Sequence, residues 1–138
     1  MSFREKQAAI TLLALWIVGL TLLFRFVSRQ PVTVEQAVPL LIGGVVALIA
    51  VMILAHIALV IGAGSEEARR GGDERDSLVD LASRRIGYWI AAAGLTLVVV
   101  LAVRSAPSVV LAETAVAVFV LAEISVYASR LYYYRRGL

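Results

Sequence analysis

Three ionisable side chains stand inside long apolar stretches: His56, Glu113 and Glu123. Carrying a charge into hydrocarbon is expensive, so each needs a partner, a wet cavity or a route to the surface. With Ala50 as the centre of its stretch, His56 lies six residues toward one end. With Ala117 as centre, Glu123 lies six residues toward the same end. At the helical rise of about 1.5 Å per residue, both sit roughly 9 Å from the midplane on one side. An imidazole and a carboxylate at one depth fit a proton-responsive pair or a polar ligand site. They also fit a plain interhelical tie, worth about 0.6–2 kcal/mol, or side chains snorkelling toward the headgroups. Glu113 lies nearer the opposite surface and can reach it.

No set of residues for catalysis emerges. Glu113 and Glu123 are ten residues apart on one helix. That separation is about 15 Å along the axis, too far for two acids to share a proton. The chain has no cysteine, which excludes disulfides, thiolate metal sites and cysteine nucleophiles. One histidine is too few for a protein-only catalytic metal site, and a haem held from both sides would need a second copy. A non-enzyme with no metal and no cofactor is expected.

The elements that hold these residues follow from hydrophobicity. Of the 138 residues, 61% are hydrophobic, against about 45–50% in ordinary soluble domains. They fall into four blocks, each near the ~20 residues that cross a bilayer as helix and each apolar all round. The expected fold is one all-α domain over 1–138, an integral membrane bundle of four transmembrane helices. Its spans run at about 8–24, 39–61, 86–103 and 109–128, with a polar loop at 65–85. The first block follows Arg4 and Lys6 as a signal peptide would. It exceeds the usual ~7–15-residue signal core, and no Ala-x-Ala site follows, so it is expected to stay attached.

Local signals refine the boundaries. Thr33 with Gln36 has capping-box spacing and predicts a short interfacial helix before the second span. Pro39 then fits the first turn of that span, and Gly62-Ala63-Gly64 ends it. Gly71-Gly72 breaks the polar loop. Asp73 is an N-cap for a helix running unbroken to Val103, supported by Asp80 and Arg84 at i,i+4. Residues 104–108 make a tight turn. Arg130, Tyr132, Tyr133, Tyr134, Arg135 and Arg136 form an aromatic and basic anchor after the last span.

Ten of the thirteen basic residues lie at one end: Arg4, Lys6, Arg69, Arg70, Arg75, Arg84, Arg85, Arg130, Arg135 and Arg136. Only Arg25, Arg29 and Arg104 lie at the other. This bias places both termini in the cytoplasm. The net charge of +3 therefore reads as topology, not as nucleic-acid binding. Small residues repeat at helical spacing in two spans, Gly43-Ala47-Ala50 and Gly87-Ala91-Gly94. Such stripes allow close helix packing within one bundle or across a homodimer. The loop charges Asp73, Glu74, Arg75, Asp76, Arg84 and Arg85 fit a solvated helix face or a docking surface for a soluble protein. The acidic residues among them lack EF-hand spacing.

Three segments, "MSFREKQA", "DERDSLVDLASRRIGYW" and "LAEISVYASRLYYYRRG", carry a family resemblance. The chain resembles small four-helix bacterial inner-membrane proteins of the uncharacterised DUF2178-like type. Asp73, Glu74, Arg75, Asp76, Leu78, Glu123 and Tyr127 carry it. The resemblance implies a bacterial inner-membrane location. It also implies a regulatory link to small helix-turn-helix proteins, which such family members are often encoded beside. The expected function is thus a non-enzymatic membrane interaction protein that offers its charged loop to a partner. The alternatives are a small transporter or channel, or an accessory subunit of a larger membrane complex.

Overall fold

The computed structural model of the chain describes residues 3–28, 34–63 and 74–136. Those residues form helices α1 (Phe3–Val27), α2 (Val34–Ala63), α3 (Glu74–Val103) and α4 (Ser108–Arg136), with no strand among them. Leu and Ala, both strong helix formers, recur through every helix. A 30-residue helix such as α3 is about 45 Å long, more than the hydrocarbon core requires. Both α3 and α4 are long and apolar enough to cross a membrane.

Helix α4 is the organising element. It packs along α3 and along α1, while α2 lies mainly on α1 and touches α4 only lightly. The turn between α3 and α4 is closed by a Schellman motif. Ser105 N–H donates to the Ala102 carbonyl at 2.9 Å, and Ala106 N–H to the Leu101 carbonyl at 3.0 Å. Ser105 takes the left-handed conformation this motif requires, with φ at 58°. Pro107 then cannot extend α3, and its carbonyl accepts the first bond of α4 from Leu111 N–H at 3.1 Å.

Glycines set the spacing of this hairpin. A Cβ on Gly87 would collide with Val126 and press on the Ala122 carbonyl. One on Gly94 would collide with Val118. The Gly87–Gly94 stripe therefore serves packing within one chain. Gly43 and Gly44 on α2 face open space instead.

Among the described residues the buried apolar side chains are Ala8, Ala14, Leu15, Val79, Val120, Ala122 and Val126. Large apolar side chains point outward along every helix, from Leu13 and Phe24 through Ile42, Ile53 and Ile61 to Leu95, Val103 and Phe119. Three hydroxyls within the apolar stretches of α3 and α4 bond to their own helix. Thr96 donates to Ala92 at 2.9 Å, Thr114 to Val110 at 2.7 Å and Ser125 to Leu121 at 2.8 Å.

Two boundary expectations change. The short helix before the second span and the span itself are one helix from Val34, so Pro39 falls inside it, not in its first turn. The Glu35 carbonyl thereby loses the N–H donor that any other residue at 39 would supply. The anchor after the last span is also helical, because α4 continues to Arg136. The expected helix from Asp73 to Val103 is observed from Glu74 onward. Asp73 and Gly71-Gly72 lie outside the described residues, as does Thr33.

Candidate functional site

The start of α1, the start of α3 and the end of α4 meet at one end of the bundle. Helix spacing puts Asp76, Val79, Asp80, Ser83 and Gly87 on one side of α3, the side that faces its neighbours. Val79 and Ser83 are fully buried there, and Ser83 Oγ donates to the Val79 carbonyl at 2.7 Å. Both carboxylates on this side are used inside the molecule. Arg4 pairs with Asp76 at 3.3 Å, joining α1 to α3. Asp80 accepts from Arg130 of α4 and from Arg84 Nε at 2.8 Å. Glu5 and Arg135, 3.7 Å apart, join α1 to α4.

Arg130 is the centre of this junction. Its guanidinium lies over the Tyr127 ring at 5.0 Å. Burial lowers its pKa; Tyr134 opposes that and Arg4 adds to it. An arginine so placed remains charged, which is why a carboxylate must accompany it. Burial also raises the pKa of Tyr134, and its hydrogen bond to Asp76 holds the phenol proton further. Thr11 of α1 is 1% exposed. Its Oγ1 and the buried Nε of Arg130 have no hydrogen-bond partner among the described residues.

The intramembrane candidates lie on two helices, α2 and α4. His56 of α2 meets Gln7 of α1, whose amide nitrogen donates to the imidazole Nε2 at 2.6 Å. That bond needs the lone pair on Nε2, hence the tautomer with its proton on Nδ1. Glu123 is half-buried on α4, one turn before Tyr127, and Glu113 is half-buried near the start of α4. Matched depth suggested the partnership of His56 with Glu123; the hydrogen bond that holds His56 to α1 was not anticipated.

The anticipated docking residues also divide. Glu74, Arg75, Arg84 and Arg85 are exposed, whereas Asp76 turns inward to Arg4. In the anchor, Arg136 lies over Tyr132 at 5.4 Å, and Tyr132 meets Tyr133 edge to face at 5.7 Å. Sequence reasoning passed over Arg4, Glu5, Gln7 and Thr11 as functional residues. Their signal was present: all four lie on the first turns of α1, at the end where charges from α3 and α4 collect. No three potential ligands for a metal cluster among the described residues.

No known protein family matches the chain, and no curated protein or solved structure is significantly similar to it.

Proposed function

We propose that this chain is a four-span inner-membrane protein without catalytic activity, which holds a soluble protein partner at its charged, cytoplasmic end. One observation carries the membrane part of this reading. Large apolar side chains face outward along all four helices, while the ion pairs collect at one end. In water such a surface would far exceed the few hundred Å² that soluble monomers leave apolar. In lipid it is the expected exterior. The basic bias then puts the ion-paired end, and both termini, in the cytoplasm.

The partner-binding part rests on Glu74, Arg75, Arg84 and Arg85, which are exposed, Arg84 while also pairing with Asp80. The family resemblance points to a regulator of transcription as that partner. DNA contact would be the partner's task. A second reading, association with another membrane subunit or a second copy, is favoured by α2. This helix rests mainly on α1 and leaves Gly43 and Gly44 open.

Two measurements test the proposal. A single cysteine replacing Arg75 should resist an impermeant thiol reagent in intact cells; ready labelling would overturn the topology. A partner recovered in mild detergent with the native chain should be lost from a variant carrying both Glu74→Lys and Arg75→Glu. Equal recovery would remove these residues from the interface.

A further inference from the structure

The outward stripe of α3 differs from the side that faces the bundle. At helical spacing it presents Leu78, Leu81, Arg85, Tyr88 and Trp89, all exposed. Tyr88 and Trp89 meet edge to face with ring centres 5.6 Å apart. Arg85 lies one turn above Trp89, about 6 Å along the axis. The neighbouring cation, Arg84, is taken by Asp80, but Arg85 makes no ion pair among the described residues. Asp80, five residues before Arg85 on the same helix, turns toward α4 and is matched by two arginines. Glu74 shares the stripe but is eleven residues away, about 16 Å, which is beyond a Debye length of about 8 Å.

We propose that this stripe is a binding site for an acidic phospholipid of the cytoplasmic leaflet. Arg85 receives the headgroup phosphate. Tyr88 and Trp89 lie beside the glycerol region, where amphipathic rings prefer to sit. Leu78 and Leu81, above Arg85, cover the headgroup from water. The proposal rests on the membrane reading and withdraws Arg85 from the protein-docking surface. Charge complementarity selects the occupant: an unpaired guanidinium at headgroup depth favours a net-negative lipid over a zwitterionic one.

The test uses Trp89 as its own reporter, in the full chain with Trp16→Phe. The protein is reconstituted in phosphatidylcholine vesicles containing equal fractions of brominated phosphatidylglycerol or brominated phosphatidylcholine. One basic side chain near an anionic surface should favour the acidic lipid about fivefold, read as stronger quenching of Trp89. Arg85→Gln should abolish the preference, Arg85→Lys should keep part of it, and Arg104→Gln at the opposite end should leave it intact. Retained quenching by both lipids in Arg85→Gln shows that the variant is still inserted. Equal quenching of the parent chain by both lipids would overturn the proposal, as would a preference that survives Arg85→Gln. Competition by millimolar inorganic phosphate would also overturn it, by pointing to a free anion. If the chain fails to insert at all, the membrane reading itself falls.

Discussion

The α3–α4 hairpin and helix α2 are built from similar apolar residues, yet they relate differently to the rest of the molecule. In the hairpin, glycines are notches into which the facing valines fit, and the half-buried carboxylate Asp80 meets Arg130 across the interface. In α2, a Cβ on Gly43 or Gly44 would meet nothing within 4 Å among the described residues, and one polar tie to the bundle is His56 with Gln7. A small residue in an apolar helix thus carries no fixed meaning. It is a packing residue only where another backbone comes close enough to need the space.

The sharpest test of this contrast is to fill both kinds of glycine. Gly94→Leu should lower stability in detergent by about 1–3 kcal/mol or more, because Val118 is β-branched and cannot swing aside. Gly43→Leu should stay within about 0.5 kcal/mol. Thermal unfolding of the two variants measures the difference; equal losses would mean that α2 is packed against a second copy.

A smaller effect is expected from the ionic clamp. Arg130→Gln leaves Asp80 with Arg84 alone and should cost about 1–3 kcal/mol. This is below the cost of breaking a fully buried pair, because Asp80 is 37% exposed and solvent screens it. Trypsin sensitivity near the start of α3 should rise with it. An unchanged unfolding temperature would show that the hairpin is held by packing alone.

The tie of α2 should be weaker still. A double-mutant cycle of Gln7→Leu and His56→Leu is expected to give a coupling of about 0.6–1.7 kcal/mol. The cycle of His56→Leu with Glu123→Leu should be additive. Coupling in the second cycle but not the first would favour the partnership that depth alone suggested. Smallest of all is the turn. Ser105→Gly relieves a left-handed φ and should stabilise the hairpin by up to about 1 kcal/mol, less the entropy glycine loses on folding.

Much of this architecture was legible in the residues. The helix from the DERD segment to Val103, the turn around Ser105 and Pro107, and the gathering of charge at one end all follow from local chemistry. Caps, breakers and charge bias act over a few residues, and no tertiary contact is needed to read them. Pro39 is the exception among local signals: a proline marks a helix start only when no earlier turn is stable, and Val34–Val38 continue the helix.

What the sequence alone determined is therefore a set of long apolar helices with a basic end. Which faces meet was decided only in three dimensions. In an amphipathic helix the polar residues mark the outside, and partner faces can be inferred from the period. These helices are apolar all round, so periodicity does not single out a face. Asp76 seemed as available to a partner as Glu74, until packing turned it toward Arg4, set Asp80 against Arg130 and left Arg85 outside. The steric fit of Val118 and Val126 against two glycines, which no local pattern encodes, sets that rotation of α3.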